Sequence, residues 1–213
     1  MILNEKALAI LDRRVREELS DFRYNHTKGV ERAITELGMI YMPTRVNELR
    51  CAALLHDIAK ENTYGDNISL AGKYNVLLED DDIKSPKTLH QTIGALVGKV
   101  TYSEFVTPDI LHAISVHSTA SKDMKLFDML LYLADYIEDT RKYGFCIELR
   151  EEFFDNIRKS SANDYVTILY AIILKSLNYT IRELLDLSTF IHKNTFEARN
   201  SFIEKLAGTG DRI

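Results

Sequence analysis

Apolar residues recur at spacings of three and four along almost the whole 213-residue chain, and this periodicity restricts the fold most. Such spacing places apolar side chains on one face of a helix. Only three prolines and nine glycines interrupt the pattern. We therefore predict an all-α helical bundle. One domain spans residues 20–200, with helical extensions at 1–19 and 201–213 packed on it.

Periodicity and turn signals together predict nine helices. Their expected bounds are 2–19, 22–41, 45–60, 86–100, 108–117, 123–139, 147–159, 163–186 and 195–206. Ser85-Pro86 and Thr107-Pro108 read as an N-cap followed by proline in the first helical turn. Residues 62–87 are the least regular part, and we expect the acidic run Asp80 to Asp82 to be a solvated loop rather than a metal site.

Composition excludes several classes of protein. A net charge of −5 provides no basic surface for nucleic-acid backbones, so no DNA or RNA partner is expected. The N-terminus mixes charged with apolar residues and is no signal peptide. The longest apolar stretch, Tyr165 to Leu174, is about half the length that spans a bilayer. Cys51 and Cys146 have no metal-type spacing. We predict a cytoplasmic protein with free thiols and no membrane contact.

A His-Asp pair, His56 and Asp57, ends the most apolar part of the third predicted helix. Adjacent helical residues point about 100° apart, so both could reach one ion beside the helix. Burying an imidazole with a carboxylate is costly unless a cation pairs with them. His26 and Asp135 also lie within apolar helices, and ligands from separate helices are typical of metal sites in bundles. These four residues are our predicted metal site.

Several segments carry a resemblance to the HD-domain metal-dependent phosphohydrolases, whose signature is a His, then His-Asp, then a distant Asp. Within that superfamily the chain resembles the YqeK-type family of bacterial symmetrical dinucleoside tetraphosphatases, over roughly residues 20–200. The segments that carry the resemblance are Arg23-Tyr24-Asn25-His26-Thr27, Leu54 to Glu61, Leu89-His90, Val116 to Thr119, Leu131 to Glu138, and Ile191 to Asn200.

The resemblance implies hydrolysis of diadenosine tetraphosphate to two ADP, with iron as the metal. It assigns the metal to His26, His56, Asp57 and Asp135. Nitrogen and oxygen ligands by themselves leave manganese, cobalt, zinc and magnesium open. We assign catalytic roles to Asp57 and Lys60. The residues expected to meet the nucleotide or its phosphates are His26, Asp57, Lys60, His90, His117, Arg141, His192 and Thr195. His112 matches no motif and is expected to pack in a partly buried position.

A metal ion suits this chemistry, because it neutralises phosphate charge and lowers the pKa of water from 15.7 towards ~7. Lys60, at i+4 from His56 on a helix, would share its face and reach phosphate oxygens as a point charge. Arg141 could clamp phosphate bidentately. One tightly held ion is favoured, and a second ion bound through His90 and His117, with Asp57 bridging, is the alternative.

The chain departs from the family pattern at two places. Ser118-Thr119-Ala120 stands where the family has Thr-Thr-Gly, and Asp139-Thr140 replaces Pro-Gly before Arg141. Two other functions stay open: an HD phosphodiesterase or nucleotidase with another nucleotide, and a non-catalytic nucleotide sensor. The Gly-Tyr-Pro motif of cyclic-dinucleotide enzymes is missing from the sequence. A monomer and a homodimer are both compatible with the sequence.

Overall fold

The computed structural model describes residues 3–210, and within this range the chain is all-α, as predicted. It has eleven α-helices there, and short 3-10 turns at Pro43–Arg45 and Ala162–Asp164. The helices are α1 (Glu5–Glu18), α2 (Asp21–Tyr41), α3 (Val46–Leu55), α4 (Tyr64–Lys73), α5 (Asp80–Lys84), α6 (Leu89–Thr101), α7 (Pro108–Val116), α8 (Leu126–Ile137), α9 (Gly144–Lys159), α10 (Tyr165–Asp186) and α11 (Lys193–Gly210).

Helix α3 lies at the centre of the bundle. Every residue from Cys51 to Leu55 is buried, because α1, α2, α7 and α8 pack around this helix. This C-terminal half of α3 is apolar on every side, so it has to be enclosed in this way. Helix α8 is similarly enclosed, with Leu130, Leu131, Leu133 and Ala134 all inaccessible to solvent. The C-terminal end of α3 therefore lies in the interior, beside α2 and α8.

The third helix ends five residues earlier than predicted, at Leu55 instead of Lys60. His56 Nδ1 donates a hydrogen bond of 2.7 Å to the carbonyl of Ala53. In a continuing helix that carbonyl would accept from the backbone N–H of Asp57, so the imidazole takes its place. Residues 56–61 instead form tight turns, with Lys60 N bonded to Asp57 O at 2.9 Å.

Residues 62–87 were expected to be irregular, and this expectation was wrong for α4 and α5. Thr63 and Asp66 form a capping box, which starts α4 by satisfying backbone N–H groups that the helix leaves free. The acidic run is the first turn of α5 and not a loop. There Asp81 accepts a hydrogen bond of 2.7 Å from the backbone N–H of Lys193, so α5 is tied to the start of α11.

The remaining helix ends differ by a few residues from the prediction. Thr107 caps α7 as predicted, whereas α6 begins at Leu89 and Pro86 lies in the preceding turn. Helix α11 runs through residue 200, the predicted domain boundary. Residues 1–2 and 211–213 of the predicted extensions lie outside the described residues. Both cysteines are unpaired and buried. Over residues 3–210, no helix combines the length and the apolar character needed to cross a membrane.

Candidate active site

The turn after α3 carries His56 and Asp57 into the interior, where they are 0% and 3% exposed. Three other histidines reach Asp57 from different elements: His26 from α2, His90 from the first turn of α6, and His117 from the residue after α7. Asp135 enters from α8 and lies 3.0 Å from His26 Nε2. The residues that the sequence predicted as metal ligands therefore converge at one place.

Three of the histidines are held in the same way. Each brings its Nδ1 to the backbone carbonyl three residues earlier, at 2.7 Å for His56, 2.9 Å for His90 and 2.7 Å for His117. A carbonyl only accepts, so Nδ1 must carry the proton, and in a neutral ring Nε2 then presents a lone pair. Each Nε2 lies beside Asp57, where it can donate to the carboxylate when the ring is doubly protonated or bind a metal ion through its lone pair, as metal-ligating histidines do.

The four predicted ligands fit a metal ion. Donor atoms of His26, His56 and Asp135 all lie within 4.8 Å of one another, and so do those of His56, Asp57 and His117. Asp57 Oδ2 lies 3.6 Å from His26 Nε2 and 3.5 Å from His56 Nε2. The Nε2 atom of His56 is buried and has no hydrogen-bond partner among the described residues. A buried polar atom without a partner is costly, and a cation here would satisfy it.

The other oxygen of Asp57 faces the remaining histidines. Asp57 Oδ1 lies 3.2 Å from His90 Nε2 and 3.6 Å from His117 Nε2. The two Nε2 atoms are 3.2 Å apart, and the Ser118 hydroxyl lies 3.1 and 3.2 Å from them. Lys60 Nζ is 3.2 Å from His90 Nε2 and can donate to it. In this tautomer Nε2 of His90 accepts, so a hydrogen bond from it to phosphate requires the doubly protonated ring.

Burial and neighbouring charges together set the pKa values of the groups in this cluster. Burial alone would raise the pKa of Asp57, but the surrounding histidines lower it well below its usual range. Asp135 has a lowered pKa for a similar reason, with Arg141 and His26 outweighing its burial. Burial lowers the pKa of His26, yet Asp135 and Glu138 raise it to about 9. Burial lowers the pKa of His90 to about 4. Both carboxylates are therefore charged at neutral pH, and His90 is neutral.

A cleft of about 720 Å³ opens onto His26, Asp57 and Asp135. Cationic side chains line it, and two aromatic rings on the same cleft are largely exposed, Phe22 at 77% and Tyr143 at 70%. The cations are Arg23, Lys60, Arg141 and Lys142. Burial lowers the pKa of Lys60, and the negative charges of Asp57 and Asp135 offset this only in part. The cleft thus combines candidate metal ligands, positive charge and exposed aromatic faces.

Arg141 contacts the candidate ligand Asp135 with two nitrogens. Its Nε donates to the Asp135 carbonyl and its Nη2 to the carboxylate, both at 2.6 Å. Although Asp139-Thr140 departs from the family pattern, the turn still brings Arg141 to the cleft. The Asp139 carboxylate pairs with Arg32 on α2 at 2.6 Å, which holds this turn against α2.

His192 and Thr195 do not line the cleft. The Thr195 hydroxyl donates to the Thr119 carbonyl at 2.9 Å and is buried. His192 is also buried, and its Nε2 lies 3.7 Å from Asp82 Oδ1. A nucleotide role for these two residues stays a prediction. His112, predicted to be partly buried, is exposed and pairs with Asp128 at 3.0 Å.

Two residues that contact the candidate metal ligands were not predicted as site residues. Arg23 Nη1 contacts Asp57 Oδ2 at 2.7 Å, and Glu138 contacts His26 Nδ1 at 3.1 Å. Both lie inside the segments that carry the family resemblance, but neither has a distinctive flank. Glu138 is 1% exposed although it sits beside the exposed Asp139, and sequence alone does not distinguish these neighbours.

Comparison with known proteins places this site in a wider group. The family model described as "HD domain" matches residues 23–140, the part of the chain that contains all the candidate metal ligands. A solved structure from Clostridium acetobutylicum, described as a predicted HD superfamily hydrolase involved in NAD metabolism, superposes with a TM-score of 0.80. It is 30% identical, and the match covers 92% of this chain and 97% of that one.

Two curated relatives carry the same description, "Bis(5'-nucleosyl)-tetraphosphatase, symmetrical". The relative from Halalkalibacterium halodurans is 27% identical over 191 residues, covering 89% of this chain and 93% of the relative. The relative from Bacillus subtilis is 29% identical over 147 residues, covering 69% of this chain and 75% of the relative. The similarity therefore extends beyond the metal ligands to most of the chain.

Proposed function

Since this chain belongs to the HD domain family, we propose that it is a metal-dependent hydrolase that cleaves dinucleoside tetraphosphates symmetrically. The overall reaction consumes one water and yields two nucleoside diphosphates. The observation that carries the proposal is a buried Asp57 whose two oxygens face four histidines, at the base of a cleft lined by cations.

His26, His56, Asp57 and Asp135 would hold the metal. A divalent ion there supplies neutralising charge for the phosphates and lowers the pKa of a water molecule towards neutrality. The family resemblance favours iron, while the mixed imidazole and carboxylate ligands also suit manganese, cobalt and zinc. Because these ligands come from α2, α8 and the turn after α3, the ion would also tie these elements together.

Three of the four cations on the cleft would bind the tetraphosphate chain. Lys60 contacts His90 and lines the cleft. Its ammonium is partly buried and would contact phosphate in a site of low dielectric, where charge acts strongly. Arg23 and Arg141 each contact one candidate ligand and line the same cleft. They can donate to phosphate oxygens through their remaining N–H groups. We therefore propose that the chain binds phosphate mainly through Lys60, Arg23 and Arg141, with Asp57 and Lys60 nearest the reacting phosphorus.

The two aromatic rings suggest how a nucleoside is held. Phe22 and Tyr143 are large apolar groups exposed along the cleft, where each could stack on a nucleobase. An aromatic side chain can stack on any nucleobase, because every base has a π-face. This arrangement supports a nucleotide over a simple polyphosphate as the substrate.

A substrate panel with the purified chain tests the proposal. It contains diadenosine tetraphosphate, diadenosine triphosphate, NAD and a cyclic dinucleotide, each assayed with Mn²⁺, Fe²⁺, Co²⁺ or Zn²⁺. NAD is included because the structural relative is described as acting in NAD metabolism. We expect ADP as the only product from diadenosine tetraphosphate.

Other outcomes would point elsewhere. Formation of ATP and AMP would contradict symmetrical cleavage. Faster turnover of another nucleotide in the panel would identify that nucleotide as the substrate instead. Tight nucleotide binding without turnover under any metal would favour the sensor alternative.

A further inference from the structure

Glu138 is a buried carboxylate at the metal site that belongs to none of the ligand groups. It directly follows α8, three residues after Asp135, and its Oε1 lies 3.1 Å from His26 Nδ1. A carboxylate so enclosed needs hydrogen-bond donors around it. Its partners indicate what it does for the site.

The carboxylate is held from the turn that follows it. Thr140 donates its backbone N–H to Oε2 at 2.6 Å and its hydroxyl to Oε1 at 2.8 Å. Arg150 on α9 donates to the backbone carbonyls of Ile137 and Glu138. Main chain and side chain are thus both anchored by the protein itself. Thr140 is one of the two residues that depart from the family pattern before Arg141, and its hydroxyl adds a contact to the one made by its backbone.

Helix α2 leaves room for this carboxylate at one position. A Cβ atom on Gly29 would lie 2.2 Å from Glu138 Oε2 and 3.1 Å from its Cδ. Glycine is less favourable than alanine inside a helix, so it lowers the helical propensity of α2 at this position. The close approach of Glu138 explains why a glycine is present at this position of α2.

His26 differs from the other three histidines in how it is anchored. His56, His90 and His117 donate Nδ1–H to backbone carbonyls near helix ends. His26 lies within α2, where nearby carbonyls already accept from the helix's own N–H groups. Its anchor must therefore come from another element, and Glu138 is that anchor.

We propose that Glu138 is a positioning residue: by accepting Nδ1–H, it fixes the ring of His26 with Nε2 directed at the metal. The role rests on the proposed metal site but not on the identity of the substrate. Such carboxylate-to-histidine contacts orient metal ligands, and their loss typically weakens metal affinity 10–100-fold. Glu138 itself does not touch the ion or substrate in this role.

The test measures Zn²⁺ affinity of the full chain by calorimetry, without substrate. We expect Glu138→Ala to weaken binding about 10–100-fold. Gly29→Ala displaces the carboxylate without removing it, so it should weaken binding when Glu138 is present and have little effect beside Glu138→Ala. Gly38→Ala is the matched control on the same helix, about 13 Å along α2 from Gly29. Its Cβ would also meet a side chain, Leu49 Cδ1 at 2.9 Å, but not Glu138. It should leave Zn²⁺ affinity unchanged.

A second readout follows the ring directly. In the zinc-loaded protein, ¹⁵N NMR of histidine should show His26 protonated at Nδ1, and Glu138→Gln should keep this tautomer because its amide oxygen still accepts. If Glu138→Ala does not fold, Glu138→Gln and Gly29→Ala test the positioning role of Glu138 in its place.

Unchanged affinity in folded Glu138→Ala, or equal losses in Gly29→Ala and Gly38→Ala, would overturn the role. If the wild-type chain binds no Zn²⁺, both the proposed metal site and the proposed role of Glu138 are refuted. Intact Zn²⁺ binding without hydrolysis refutes only the proposed substrate.

Discussion

Replacing Asp57 by asparagine removes one charge from the centre of the site and changes little else. The two side chains have nearly the same volume, so no cavity forms. The carboxylate is buried, with Arg23 at 2.7 Å and four histidine Nε2 atoms within 3.6 Å. The variant therefore isolates the electrostatic contribution of Asp57, with and without a metal ion.

The ion-free protein should lose stability. A hydrogen bond to a charged group contributes about 1.5–3 kcal/mol, and breaking a buried ion pair costs about 3–5 kcal/mol. We take about 3 kcal/mol for the loss of the Arg23 contact. In a chain of this size each kcal/mol shifts Tm by about 2–4 °C, so Asp57→Asn should melt about 6–12 °C below wild type.

The ion should widen this difference. At a concentration 100 times Kd, a ligand stabilises the native state by about 2.7 kcal/mol, which raises the wild-type Tm by about 5–11 °C. If Asp57→Asn weakens binding about 100-fold, the same concentration adds only about 0.4 kcal/mol. Scanning calorimetry with and without Mn²⁺ measures both effects in one series.

Asp128→Asn is the control for the loss of a buried carboxylate. Asp128 is 1% exposed and contacts the backbone N–H of Lys125 at 2.8 Å and His112 at 3.0 Å, outside the metal site. The Asp128→Asn variant should have a lower Tm than wild type, but Mn²⁺ should raise its Tm by the full wild-type amount. The assignment of Asp57 as a ligand would be refuted if Asp57→Asn kept the wild-type rise, or if the control lost it equally.

Three further predictions concern the ion count, the phosphates and the base. A His90→Ala, His117→Ala double variant should keep about one metal per chain by elemental analysis and lose turnover; two ions in wild type falling to one would place both histidines in the metal set. Arg141→Lys cannot make both contacts to Asp135, so kcat/KM should fall about 10- to 100-fold, and an unchanged value would exclude this positioning. Phe22→Leu should raise KM about 5- to 100-fold with kcat retained and inhibition by inorganic tripolyphosphate unchanged, whereas a fall in kcat alone would contradict stacking.

Local signals in the sequence determined most helices. The apolar periodicity and Thr107-Pro108 predicted α7 with its cap, and the fully apolar run before Asp135 predicted α8. These succeed because propensity and capping act within a few residues. The Thr63 and Asp66 capping box is equally local, so the start of α4 could have been found from the sequence. The early end of α3 also has a local cause, the His56 side chain bonding to Ala53, but nothing in the helical pattern signals it.

For the site, the sequence by itself determined which groups are available, because polar residues in apolar helices need partners wherever they are buried. That reasoning selected His26, His56, Asp57 and Asp135 as candidate ligands. Only the tertiary structure decided how they are held. The contact of Glu138 with His26 joins residues 112 positions apart, and Gly29 matters only because α8 ends beside α2. Such contacts depend on how helices pack in three dimensions, and the spacing of residues along the chain carries no information about them.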